Sequence, residues 1–430
     1  MSDNIKKRKD ADTEAAEYMA LQMSLSKESK FSNILLCVLT LGFIYIFAAL
    51  FWILPDNDFS AEENRSLQTA PEVSFENLFS GNLTEEFSDY MADQFPCRNF
   101  FVGVKAVTET AQLKMQNNSV ILGSDGYLIA RNDYPDEDNL SINITSAANF
   151  IKAAEEKGIK CVPAFAGRKQ DVADEKLPSV YGTECSDRIW GILSDKCSAA
   201  GIEFVNLRDD LRELEREGQE LYYKNDHHWN SLGAYYAYRI IAEKLGEEPY
   251  ELADFTKETA SEEFFGTTWS SSGIKWAQPD RLDFYRWNGD DNFILKILEP
   301  SRRFEGYDRC SYIEEDGKTY AVFDGTYFVR EFLSEKDKYA AFIGGNFGYT
   351  EIKEKRTDRE TVLVLKDSFS HSTVQFLARH YNLIMIDLRY YSSSVIKLCE
   401  EKGINKVLML YNMETLTEGA YLKVLNSGLK

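Results

Sequence analysis

Apolar residues fall along this chain in three different rhythms. From Ile34 to Leu54 they run without interruption and without one Asp, Glu, Lys, Arg or His. At 1.5 Å per residue a helix of that length crosses about 30 Å of hydrocarbon, so the pattern predicts a transmembrane helix over 31–55. From Asp56 to about residue 120, Phe75, Leu78, Phe79, Leu83, Phe87 and Tyr90 recur at helical spacing, which predicts membrane-proximal helices ending near Asp93-Gln-Phe-Pro96-Cys-Arg98. After the turn Gly123-Ser-Asp-Gly126 the chain alternates short apolar runs with amphipathic stretches. Strands are predicted at 160–165, 202–207, 362–365, 383–386 and 407–410, with helices at 145–157, 187–199, 370–380 and 393–402. Repeated βα units of this kind build a parallel sheet covered by helices on both faces.

Residues 250–355 break the rhythm. Trp269, Trp276, Phe284, Tyr285 and Trp287 stand among turn residues and β-like runs such as Tyr320-Ala-Val-Phe323, which predicts an insertion of antiparallel strands and loops within a domain spanning 121–430. Its aromatic residues can stack on sugar rings or serve ordinary β packing. Residues 1–30 are charged and mixed in sign, as expected of a tail with some helical potential around Thr13 to Ser26.

Composition adds a globular core and a strong charge. Of 430 residues 44% are hydrophobic and 13% aromatic, and the formal net charge is −21. That charge disfavours nucleic acid or any other polyanion held by bulk electrostatics; an anionic ligand would need a local basic pocket. Lysines 6, 7, 9, 27 and 30 and Arg8 precede the apolar run, and Asp56, Asp58, Glu62 and Glu63 follow it. The positive-inside rule therefore predicts a single-pass membrane protein with a cytoplasmic N-terminus and everything after Pro55 on the far side. Six cysteines lie beyond the span, with no metal-site spacing, and Cys185 with Cys197 is the first disulfide to test.

The chemistry concentrates in two places. Asp226-His227-His228-Trp229 precedes a helix with its N-cap near Asn230, and about 140 residues later Lys366-Asp367-Ser368-Phe369 follows the apolar run Thr361 to Leu365. A carboxylate, an imidazole and a serine at a strand-to-helix turn are the parts needed for acyl transfer through a serine ester. Ser368 falls beyond the carboxyl end of its strand, where ligands bind in such sheets, and at a predicted helix start whose N–H groups can hold an oxyanion. The chain has four histidines, so the base is His227 or His228, with His371, one turn past Ser368, as a more distant choice. Metal binding is the competing reading of Asp226, His227 and His228, although three adjacent ligands rarely make a tetrahedral site alone. No cofactor motif is present. Gly344-Gly345-Asn346 offers Asn346 as an oxyanion donor or a plain turn. Arg168 and Lys169, after the 160–165 strand, can bind an anionic sugar or face solvent. Arg389 can bind substrate or form a structural ion pair with Asp387.

The chain resembles the DHHW protein family, which is related to the alginate O-acetyltransferase proteins AlgJ and AlgX of the SGNH hydrolase superfamily. The resemblance rests on Glu63-Asn-Arg65, Gly123 to Ile129, Tyr222 to Asn230 with Gly233, Lys366 to Phe369 and Asp387 to Tyr391, in that order over about 60–415. It implies an α/β SGNH-like fold in circularly permuted order, with Asp226 orienting, His228 as base ahead of His227, and Ser368 as nucleophile. It also implies acetyl transfer to a cell-surface or secreted polysaccharide, with a multi-pass membrane-bound O-acyltransferase as the partner delivering acetyl groups. A carbohydrate acetylesterase, and a non-catalytic glycan-binding scaffold of an envelope complex, are the alternatives.

Overall fold

The computed structural model describes residues 2–60, 62, 65–72, 74, 79, 82–131, 135–356 and 359–429, for 2–17, 20–29 and 82 the backbone alone. Glu63 and Asn64 of the Glu63-Asn-Arg65 motif, and Phe75 and Leu78 of the predicted proximal helix, lie outside the described residues. Residues 1–60 and 65–101 form one compact unit, and 61–64 and 102–430 the other. The division between these units falls near residue 101, inside the helix Arg98–Ala111.

In the first unit a single helix, Ser2–Ile53, joins the charged tail to the apolar run. Its part Lys30–Ile53, whose most apolar 18-residue stretch has a mean hydropathy of 2.7, is long and apolar enough to cross a membrane. The helix Asn82–Asp93 ends in a polar knot. Asp93 accepts from Arg65 Nη1 at 2.8 Å and from the Gln68 backbone N–H at 2.9 Å, and Arg65 holds its carboxyl below the usual range.

The second unit is organised by a nine-stranded sheet, whose strands are numbered here in chain order: β1 Lys160–Ala166, β2 Val205–Asn206, β3 Phe293–Leu298, β4 Cys310–Glu315, β5 Lys318–Asp324, β6 Tyr349–Glu354, β7 Thr361–Lys366, β8 Asn382–Ile386 and β9 Lys406–Asn412. Their spatial order is β4-β5-β3-β6-β8-β7-β9-β1-β2. Strands β8, β7, β9, β1 and β2 are mutually parallel, and β6, β3, β5 and β4 continue the sheet antiparallel. The insertion thus extends the main sheet, apart from the separate hairpin Thr256–Phe264 with Asp280–Arg286.

The continuous apolar runs are what a two-sided burial requires. Val362, Val364, Leu408 and Leu410 face one core, which includes Ala234, Tyr238 and Ile241 of the helix Ser231–Leu245. Leu363, Leu365, Val407 and Met409 face the other, with Phe150, Leu193 and Leu398 of the helices Glu137–Glu155, Glu184–Ala199 and Val395–Lys402.

Three expectations change. The helix predicted at 370–380 is a 3-10 turn Ser368–His371 followed by a short α segment, Val374–Leu377. There Ser370 and Thr373 hydroxyls donate to the carbonyls three residues earlier, at 2.9 and 2.7 Å, and this side-chain bonding competes with a regular helix. The strand at 202–207 shrinks to Val205–Asn206, because only those residues meet partners on β1 at the sheet edge. Cys185 and Cys197 sit on one helix, twelve residues or about 18 Å of rise apart, so they cannot pair, and all seven cysteines are free.

Candidate active site

The carboxyl ends of β7, β9, β1 and β8 deliver Asp367, Asn412, Gly167 and Asp387 to one rim of the sheet. Asp367, fully buried, fixes that rim. Its Oδ1 accepts from the Phe369 N–H at 2.9 Å, and its Oδ2 accepts from the Asn412 N–H at 2.6 Å, tying β7 to β9. Ser368 is thereby held half-buried at the first position of its 3-10 turn.

The segment 222–230 reaches the same rim from the other side. It is folded on itself by a bridge between Tyr222 and Trp229, and Asn230 caps the next helix by accepting from the Leu232 and Gly233 N–H groups at 2.9 and 3.0 Å. Between these anchors the Asp226 carboxylate turns back on its own segment. Its Oδ1 accepts from the His228 backbone N–H at 3.0 Å and lies 2.5 Å from His228 Nδ1. His228 Nε2 lies 2.6 Å from Ser368 Oγ. Asp226, His228 and Ser368, three of the residues singled out in the sequence, therefore form one unbroken hydrogen-bonded line.

Neighbouring groups hold the line in place. Burial by itself would raise the Asp226 carboxyl, but the two histidines and the hydrogen bonds outweigh it and hold it well below the usual range. Its Oδ2 accepts from the Thr267 N–H at 2.9 Å and hydroxyl at 3.1 Å. Tyr339 stacks flat on the His228 ring, with centroids 4.0 Å apart and planes 8° from parallel, while its hydroxyl donates to the Ser368 carbonyl at 3.1 Å. Trp229 Nε1–H points at the Phe369 carbonyl (2.9 Å) and Ser372 Oγ (3.0 Å), which joins the histidine-bearing segment to the serine-bearing one. Gly266 is required by this packing. A Cβ there would stand 2.2 Å from Asp226 Oδ2.

The remaining candidates are placed differently. His227 Nδ1 is 2.6 Å from Thr267 Oγ1, and burial together with His228 pushes its imidazole down to about 4. It borders the cleft without touching Ser368's hydroxyl. His371 is neither exposed nor beside Ser368 Oγ: it is buried, 2.7 Å from Lys366 Nζ, and burial followed by that ammonium holds it well below its ordinary value. Asn346 does not line the cleft over Ser368; its side-chain oxygen accepts from Lys366 at 3.4 Å and Arg389 at 3.2 Å. Arg168 is buried against Asp171, and Lys169 is buried with its ammonium on the carbonyls of Leu128 (2.7 Å) and Lys224 (3.1 Å), so neither faces solvent. Arg389 forks onto Asp387 at 2.9 and 2.6 Å, the ion pair anticipated from sequence, yet it also borders the cleft.

Ligand atoms of Asp226, His227 and His228 lie within 4.8 Å of one another, close enough for a metal ion. Both ring nitrogens of His228 are engaged, however, by Asp226 and Ser368, and Nδ1 of His227 by Thr267. A metal would have to break those bonds. The set is arranged for moving a proton along a line.

Ser368 opens into a cleft of about 400 Å³, lined by Thr267, Thr268, Ser271, Asn412, Glu414 and Glu418 among others. A larger cavity of about 750 Å³, floored by Tyr222 and Tyr223, lies elsewhere and reaches none of the three aligned residues. Thr267, Tyr339, Glu414 and Glu418 were not singled out in the sequence. Glu414 alone carried a usable signal, two residues past the end of a parallel strand.

Two family profiles match the chain: "DHHW protein" over residues 208–386, and "SGNH hydrolase-like domain, acetyltransferase AlgX" over residues 120–274. The resemblance read from the sequence stands. Among solved structures, a DHHW family protein from Eubacterium siraeum is 19% identical with a TM-score of 0.55, covering 73% of this chain and 96% of that one. Bacillus cereus PatB1 is 20% identical with a TM-score of 0.56, covering 70% and 98%. A second PatB1 structure, described with a sulfonyl adduct, gives the same identity and coverage with a TM-score of 0.55. At these identities the likeness concerns the fold. No curated protein matches the chain.

Proposed function

We propose that this chain is a membrane-anchored O-acetyltransferase that passes an acetyl group through Ser368 to a hydroxyl of a polysaccharide outside the cytoplasm. The observation that carries the reading is the continuous line from Asp226 through His228 to Ser368, with contacts of 2.5 and 2.6 Å. The match of residues 120–274 to an acetyltransferase family supports it.

In the first half-reaction His228 Nε2 takes the Ser368 proton as Oγ attacks the acetyl carbonyl carbon of an ester donor. The same proton then passes to the departing oxygen, which leaves as an alcohol, and an acetyl-serine remains. In the second half, His228 takes a proton from the acceptor hydroxyl, whose oxygen attacks the acetyl-serine. The proton returns to Ser368 as the bond breaks. Asp226 holds the ring with Nδ1 protonated and offsets the positive charge that His228 carries midway. Ser368's own backbone N–H is the oxyanion donor of this proposal, and Arg389, at the border of the cleft, its remaining candidate for a substrate contact. Arg168 and Lys169 act behind the cleft, holding its wall.

The apolar helix would anchor the chain, with residues 1–30 cytoplasmic, 56–120 next to the bilayer and the SGNH-like domain at 121–430 outside. Acetyl-CoA is absent there, so a multi-pass membrane-bound O-acyltransferase is the proposed donor partner. A carbohydrate acetylesterase is the second reading, favoured by the exposure of the cleft, through which water can reach the acetyl-serine.

The full chain in detergent should release 4-nitrophenol from 4-nitrophenyl acetate with a burst and carry an acetyl mass on the peptide containing Ser368. Ser368→Ala should lose both. Unchanged turnover in that variant would end the proposal.

A further inference from the structure

Part of the lining of the cleft is acidic. The short helix Met413–Glu418 follows β9 and carries Glu414 and Glu418 one turn apart, and both line the cleft that holds Ser368. Neither carboxylate has an ion-pair or hydrogen-bond partner among the described residues, whereas each nearby cation does. Arg389 is committed to Asp387, Arg168 to Asp171, and Lys169 to two carbonyls. An acceptor entering the cleft therefore meets two carboxylates that want hydrogen-bond donors and, among the described residues, no cation without a partner.

We propose that Glu414 and Glu418 make the acceptor an uncharged or amine-bearing sugar and exclude uronates and other anionic glycans. This deepens the acetyl-transfer reading and rests on it. Sugar hydroxyls and ammonium groups donate to carboxylates, while a uronate carboxylate placed beside them would add like charge in a partly desolvated space. Burial raises both carboxyls above their ordinary values, and Glu418 raises Glu414 further, so the site already opposes a third negative charge. At separations of about 5–6 Å and an effective dielectric between that of protein surface and water, such repulsion amounts to roughly a tenfold preference. The sequence had offered Arg168 and Lys169 as a cradle for an anionic sugar; their burial removes that cradle.

The test uses the full chain in detergent with 4-nitrophenyl acetate as donor. Pentamers of N-acetylglucosamine, glucosamine and galacturonate serve as acceptors, and acetylated products are quantified by mass spectrometry. If water competes, the same selectivity is read from acetate release off the acetylated pentamers. The neutral and cationic sugars should turn over about tenfold faster than the uronate, and Glu414→Gln with Glu418→Gln should shrink that ratio at least threefold. Glu418→Gln alone, at an exposed position, should shrink it in part and guards against a misfolded double variant. Equal or faster turnover of the uronate, a ratio unmoved by either variant, or no turnover of any sugar despite a full 4-nitrophenol burst would each overturn the proposal. Absence of the burst in the unmodified chain would instead overturn the acetyl-transfer reading beneath it.

Discussion

A single methyl group at residue 266 tests the geometry more sharply than deleting any of the three aligned residues. Gly266 has φ −86° and ψ −166°, extended values that alanine adopts freely, so Gly266→Ala introduces no backbone strain. The three atoms nearest the new Cβ all belong to Asp226: Oδ2 at 2.2 Å, Cβ at 2.3 Å and Cγ at 2.5 Å. Ordinary contact needs about 3.5 Å, so the aspartate must retreat by more than about 1 Å. It cannot do so and keep its contacts with His228 Nδ1 and with Thr267, at 2.5, 2.9 and 3.1 Å. Loss of two hydrogen bonds to a buried charge costs about 3–5 kcal/mol. A displacement of about 1 Å in the group orienting the base should lower kcat/KM about 100-fold, and more if His228 changes tautomer. The assay pairs a thermal melt with the 4-nitrophenyl acetate burst. In an Asp226→Gly background the same methyl should cost little further, since the atoms it would strike are gone. Activity within threefold of the unmodified chain in Gly266→Ala would refute the account of how Asp226 is held.

Two further outcomes follow from the same neighbourhood. Trp229→Phe removes the donor shared by the Phe369 carbonyl and Ser372 Oγ, so stability should fall by about 2 kcal/mol and kcat with it; a melting temperature within 1 °C of the unmodified chain would contradict this. His227 takes a proton near pH 6.5 in the unfolded chain but only near about 4 in the folded one, so stability falls as pH drops through that window. His227→Gln should flatten the fall between pH 6.5 and 4.5 by about 1 kcal/mol, the full shift being discounted for a side chain that is 32% exposed, and melts of equal pH slope would count against it.

The sequence carried the fold where its signal was local. Thr361 to Leu365, Leu383 to Ile386 and Val407 to Leu410 read as buried strands because both faces of a parallel sheet are covered. Asp226, His228 and Ser368 were legible because each sits in a short motif at an element boundary. What failed to show were contacts across long separations. Whether Lys169 meets solvent or carbonyl oxygen depends on Leu128 and Lys224, and whether Asn346 can donate to an oxyanion depends on Lys366 and Arg389. Thr267 and Tyr339 come from segments with no periodic pattern. Nothing near them in the chain hints that one grips the aspartate and the other covers the imidazole.

The serine and its base are separated by 140 residues of chain, and the segment that carries the base meets the turn that carries the serine only after that long loop has closed. Closing it carries an entropic cost that no local element can offset, so a partly folded chain has Ser368 but no imidazole beside it. Chemical competence then becomes a clock for folding. In a refolding time course the 4-nitrophenol burst should rise with the last native phase and never ahead of it, so the nascent chain passes through its earlier stages as an inert polymer.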